Sequence, residues 1–89
     1  PSAMLALIQV SRVSTFQNDA NKVITDYLEF FKTNRETLAK ESGYLQRLAS
    51  AMLAARHLAY VEPHRKDEQM RMADALEQES KDISKRFVW

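Results

Sequence analysis

Residues 45–61 read Leu45-Gln46-Arg47-Leu48-Ala49-Ser50-Ala51-Met52-Leu53-Ala54-Ala55-Arg56-His57-Leu58-Ala59-Tyr60-Val61. Leu45, Leu48, Met52, Ala55 and Ala59 recur in steps of three and four, the repeat of an α-helix. Ala49, Ala51, Leu53, Ala54, Leu58, Tyr60 and Val61 spread around that seam, and only Gln46, Arg47, Ser50, Arg56 and His57 interrupt it. A helix that is apolar around most of its circumference is a buried one. This segment is therefore expected at the centre of the fold, contacted from more than one side.

The residues on either side say how many elements surround it. Gly43 is the one glycine among 89 residues, where average composition of about 7% would give roughly six. The prolines are Pro1 and Pro63. A chain so poor in residues that take positive φ or pre-set a turn has few sharp turns, so it is built from a small number of long elements. Its Ala, Leu, Glu, Lys, Arg, Gln and Met make those elements helices.

Toward the N-terminus, Ala6, Val10, Val13, Ala20, Ile24, Tyr27 and Phe31 keep the four-three spacing, with Gln17 the polar interruption. Phe16, Val23 and Phe30 add a third apolar column, which reads as the wide core stripe of a bundle helix. Ser14-Thr15 ahead of Gln17 and Asn18 offers a fresh helix start, so this first helix either runs unbroken or is broken near Ser14. Thr33 with Glu36 has capping-box spacing and predicts the next helix, which is read as running through Gly43. There the missing side chain would let another backbone approach. Pro63 predicts a turn. Beyond it Ala73, Leu76, Ile83 and Phe87 form one stripe, with Ser80 in the same series. Glu77 with Lys81, and Asp82 with Arg86, are acid-before-base pairs four apart on an exposed face.

Composition excludes several chemistries. With no cysteine there is neither a disulfide framework nor a thiolate site, which fits a reducing compartment and a cytoplasmic location. One glycine rules out a glycine-rich phosphate loop. His57 and His64 lack the Glu-x-x-His spacing of di-iron bundles, so no metal and no cofactor is expected, and the chain is not read as an enzyme. Both histidines are expected to face solvent near a helix end. The net charge of +1 gives no global pull toward nucleic acid or an anionic membrane. No apolar run near the start is long enough to span a bilayer. Pro1-Ser2-Ala3 ahead of Met4 reads as a cloning remnant.

The segment Arg35–Met52 resembles the first half of a helix-turn-helix DNA-binding unit. Ala39 and Gly43 have its small-residue-to-glycine spacing, and Leu38, Tyr44 and Met52 occupy its apolar positions. Ser42 and Leu45 depart from the pattern, and Gln46–Ala51 is poor in groups that read base edges. The resemblance implies a DNA-binding regulator.

The leading expectation is an all-α fold: an antiparallel up-down-up three-helix bundle over 4–32, 34–61 and 64–88, one domain from 4 to 89, self-associating as a homodimer. An 89-residue monomer buries only about 60% of its unfolded surface, which favours partner chains. The function expected is that of a protein–protein interaction module, an adaptor, assembly subunit or chaperone-like protein. Phe87, Val88 and Trp89 would supply apolar contact, and Arg56, Arg65 and Lys66, around the Pro63 bend, polar contact. The alternative is the helix-turn-helix regulator.

Overall fold

A computed structural model describes residues 1–12 and 14–86. It is all-helical and, among the described residues, has no strand. Its helices are α1 (Ser2–Ser11), α2 (Gln17–Thr33), α3 (Arg35–Leu38), α4 (Tyr44–Val61) and α5 (Lys66–Lys85), with 3-10 turns at Ser14–Phe16 and Pro63–Arg65. The chain packs to a radius of gyration of 13.5 Å with extents of 47 × 25 × 24 Å.

Two of the three long helices expected from the sequence are divided. The first breaks between α1 and α2, at the Ser14 signal, and its halves fold against each other. Ser2 and Ala3, read as a remnant, belong to α1, and the Leu5 amide donates to the Pro1 carbonyl at 2.9 Å. The second divides into the single turn α3 and the long α4, so Gly43 is not inside a helix. It has φ +79°, in the left-handed region, and stands immediately before α4. Its carbonyl accepts the amides of Gln46 and Arg47 at 3.1 and 3.2 Å, which starts the helix without a side-chain cap. The φ angle, rather than close backbone approach, explains the glycine: a Cβ there would meet nothing nearer than Gln46 Oε1 at 3.8 Å.

The capping box is also replaced. Thr33 is the last residue of α2, and α3 has no side-chain cap. Instead Asn34 closes α2, its side-chain Nδ2 donating to the Phe30 carbonyl at 2.9 Å. Pro63 opens a turn as expected. The basic run His64-Arg65-Lys66 then sits where a helix N-terminus disfavours positive charge. Arg65 is offset by Glu62 at 3.5 Å and Glu68 at 3.1 Å, and Asp67 and Glu68 fill the first turn of α5.

Side-chain contacts fix the helix directions. Pro1 shares a surface depression with Ser42, Gly43 and Gln46, while Ser11 bonds His57, so α1 runs parallel to α4. Asn21 bonds His57 and Tyr27 donates to the Arg47 carbonyl at 3.3 Å, so α2 runs against α4. Tyr44 lies by Ile83, and Tyr60 by Met70, so α5 also runs against α4. Helix α4 packs on α1, α2 and α5, the central position its composition predicts. Its buried side chains include Leu48, Ala51, Ala54, Ala55 and Leu58; Ile24, Leu28 and Phe31 come from α2, Met4 and Ile8 from α1, and Ala73 and Leu76 from α5. The alanines let neighbouring helices approach closely on several sides at once, which a uniformly large-residue α4 would prevent.

Candidate functional site

Three features stand out once the core is closed. The first is on α2. Phe16, Val23 and Phe30, expected in the core, are 61%, 48% and 50% exposed. The core column is instead Ala20, Ile24, Leu28 and Phe31, a register in which Leu28 does the work assigned to the outer column. Seven-residue spacing keeps Val23 and Phe30 on one line of the helix, and Phe16 stands at its N-cap. Between them, at positions three after one and four before the next, stand Asp19 and Asp26, both exposed and without an ion pair among the described residues.

The second feature surrounds Tyr60, which is 79% exposed near the end of α4. On one side a groove of about 300 Å³ is lined by Arg56, Ala59, Tyr60, Pro63, Lys66 and Met70. On the other a depression of about 520 Å³ is lined by Ser11, Arg12, Gln17, His57, Tyr60 and Val61. No lining residue of either is acidic. Of the sequence-predicted polar contacts, Arg56 and Lys66 thus come together; Arg56 also pairs with Glu77 of α5 at 2.9 Å. Arg65 lies outside both hollows, held by Glu62 and Glu68. Phe87, Val88 and Trp89 lie outside the described residues.

The third is a buried polar node that the sequence reading placed in solvent. His57 is only 6% exposed. Its Nε2 lies 2.8 Å from Asn21 Oδ1 and 3.0 Å from Ser11 Oγ. Asn21 Oδ1 can only accept, so Nε2 carries the ring proton and shares it between the two oxygens. Ser11 donates its own hydroxyl proton to the Ile8 carbonyl at 2.7 Å. The other ring nitrogen, Nδ1, is buried and has no partner among the described residues. Burial, with the positive Arg12 nearby, lowers the His57 pKa below its ordinary 6.5. A Ser–His relay needs the serine on one ring nitrogen and an orienting acceptor on the other. Here both partners share Nε2 and the serine proton points elsewhere, so the node ties α1, α2 and α4 together rather than activating a hydroxyl. The available signal was that a histidine within an all-round apolar helix is buried and must find hydrogen bonds.

At the opposite end of α4, a wider hollow of about 690 Å³ is lined by residues including Tyr44, Leu45, Glu79, Ile83 and Arg86. Glu79 accepts from Tyr44 Oη at 2.5 Å and from Arg35. Burial, reinforced by donation to that carboxylate, raises the Tyr44 pKa above 10.0. Among the described residues, no three His, Cys, Asp or Glu side chains gather as a metal site would require, and no helix is long and apolar enough to cross a membrane.

Comparison with protein families, with curated proteins and with solved structures finds no match in any of the three. The functional reading therefore rests on the molecule's own surface.

Proposed function

We propose that the chain is a small helical protein–protein interaction module, an adaptor or assembly subunit that acts through helix faces and associates with itself. In this reading α2, α4 and α5, alternating in direction, are the up-down-up frame, with α1 laid beside it. The observation that carries the proposal is the exposed set Phe16, at the N-cap of α2, and Val23 and Phe30 within it. Val23 and Phe30 on α2, with Phe16 at its N-cap, stay exposed while Ala20, Ile24, Leu28 and Phe31 fill the core beneath them. Contiguous apolar surface of this kind marks interaction sites, and aromatic side chains are the residues that anchor them. Phe87, Val88 and Trp89 would add apolar contact at the end of the chain.

Light-scattering mass measured against concentration tests this reading. The wild type should exceed 10.3 kDa as concentration rises, and F16S with F30S should return it toward that mass with unchanged helical circular dichroism. The reading fails if the wild type keeps the monomer mass and the outer α2 residues, Phe87 and Trp89 can all be made polar without loss of any interaction.

The helix-turn-helix alternative draws on one observation, the left-handed Gly43 turn ahead of α4. Two others weigh against it: α3 has four residues, a single turn, and α4 is packed by α1, α2 and α5. A recognition helix needs a free face to enter the major groove. Steeply salt-dependent binding of duplex DNA would support this alternative; no binding at low salt would end it.

A further inference from the structure

Among the described residues, five of the seven exposed large apolar side chains fall into two groups with different electrostatic surroundings; the other two, Leu5 and Val10, lie on α1. Along α2 and its N-cap, Phe16, Val23 and Phe30 alternate with Asp19 and Asp26, and the exposed Lys22 stands one turn from each carboxylate, so the ridge carries two acids to one base. Seven residues separate the two carboxylates, about 10.5 Å along the helix. Around Tyr60 and Met70, Arg12, Arg56 and Lys66 line the two hollows, and no acid does. Asp19, Asp26, Arg12 and Lys66 make no ion pair among the described residues. The groups adjoin: Gln17, next to Phe16, lines the same depression as Arg12 and Tyr60. The molecule, whose net charge is only +1, thus carries an acid-rimmed apolar ridge running up to a base-rimmed apolar hollow.

We infer that the occupant of this surface is a second copy of the chain, with the Asp19–Asp26 ridge of each protomer lying on the Arg12–Tyr60–Lys66 hollows of the other. The inference rests on the interaction reading above and names its partner and register. A ridge beside its own complement gives an isologous pairing, in which one patch serves both protomers and the assembly closes as a dimer. Other orientations set ridge against ridge, with four carboxylates facing, or hollow against hollow, with like cations facing. Each is penalised by like charge. A standard interface covers about 800 Å² per partner, roughly an eighth of the 6177 Å² surface here. Burial of Phe16, Val23, Phe30, Tyr60 and Met70 supplies the affinity. The rim charges, solvent-exposed and sensitive to salt, supply the register.

A nucleic acid would also be drawn to an aromatic flanked by cations. The carboxylates of the adjoining ridge oppose a longer polyanion. A second copy supplies discrete carboxylates beside apolar side chains.

A charge-swap experiment tests the pairing. One variant carries D19K and D26K, the other R12E and K66E; all four positions are exposed, and matching far-UV circular dichroism with the wild type establishes that each folds. By sedimentation equilibrium at low salt, each variant alone should dimerise at least tenfold more weakly than the wild type. Mixed in equal amounts they should form a one-to-one dimer of near wild-type affinity, because each then offers what the other has lost. Variants that each dimerise as well as the wild type, or a mixture no tighter than its parts, overturn the inference while leaving self-association through apolar faces intact. A wild type that stays monomeric up to millimolar concentration overturns the inference outright; the broader reading then turns on the Phe87 and Trp89 variants. Binding of a labelled 12-nucleotide single strand to the wild type, abolished in R12E/K66E, combined with monomeric protein, likewise overturns it in favour of a nucleic-acid partner.

Discussion

The two ends of α4 are fastened by different chemistry. At its start, Tyr44 stacks on Phe31 with ring centroids 6.2 Å apart, and its hydroxyl joins Arg35 on the Glu79 carboxylate. That contact ties α3, α4 and α5, and each of its polar members has a partner. At its other end His57 ties α1, α2 and α4 by neutral hydrogen bonds, leaves Nδ1 buried and unpaired among the described residues, and has the positive Arg12 beside it. The first fastening combines apolar area with a partly exposed charge pair. The second depends on one ring staying neutral. The same helix is therefore held firmly over its N-terminal turn and conditionally over its C-terminal turns, beside the Tyr60 hollows.

The largest expected effect that would break this contrast is at Tyr44. Y44A removes a buried ring and the donor to Glu79 and should cost about 3–5 kcal/mol of unfolding free energy. Y44F, which keeps the stacking, should cost about 1–2 kcal/mol. If both cost the same, the ring contributes little and the contrast is wrong. N21A at the histidine end should cost about 1 kcal/mol, since Ser11 still accepts from Nε2; urea denaturation measures all three. G43A should cost about 1–2 kcal/mol through its φ alone, because the added methyl meets only an ordinary contact with Gln46 Oε1 at 3.8 Å. The smallest change expected is with pH, because one proton at one site is linked to folding there. His57 binds its proton less readily folded than unfolded, so the unfolded chain takes it up first as pH falls. The stability it contributes is present in full above the ordinary 6.5 and is lost as pH falls through the lowered folded value. The urea midpoint should therefore drop between pH 7.5 and 5.5 in the wild type and drop less in H57Q. An equal drop in both would assign the acid sensitivity elsewhere.

The all-helical class and the central place of α4 were legible because they follow from composition and periodicity, which are local to the chain. The break near Ser14 and the Pro63 turn were legible from turn chemistry. The expected four-apart pair Glu77–Lys81 is present at 3.9 Å. Asp82, by contrast, accepts from Gln78 at 3.0 Å. Gly43 was misjudged because the capping-box spacing at Thr33 and Glu36 argued for a helix start that Asn34 and Gly43 divide between them. The α2 register was hidden for a related reason: Phe16, Val23 and Phe30 share the helical period of the core column, and a period alone does not say which of two neighbouring columns faces inward. The flanking Asp19 and Asp26 were the cue. Gln69 is buried at 2% exposure, with its Oε1 unpaired among the described residues. His57 was placed in solvent because its partners, Ser11 and Asn21, lie 46 and 36 residues away. Such a contact depends on tertiary packing that no local pattern encodes.

The central claim, that this surface pairs with itself through apolar side chains in a charge-set register, is tested most directly by sedimentation equilibrium of the wild-type protein from micromolar to millimolar concentration at low and high salt. The account predicts a mass that climbs from 10.3 kDa toward twice that value, at lower concentration in low salt than in high. A mass fixed at 10.3 kDa throughout, or a dimer indifferent to salt, would contradict it.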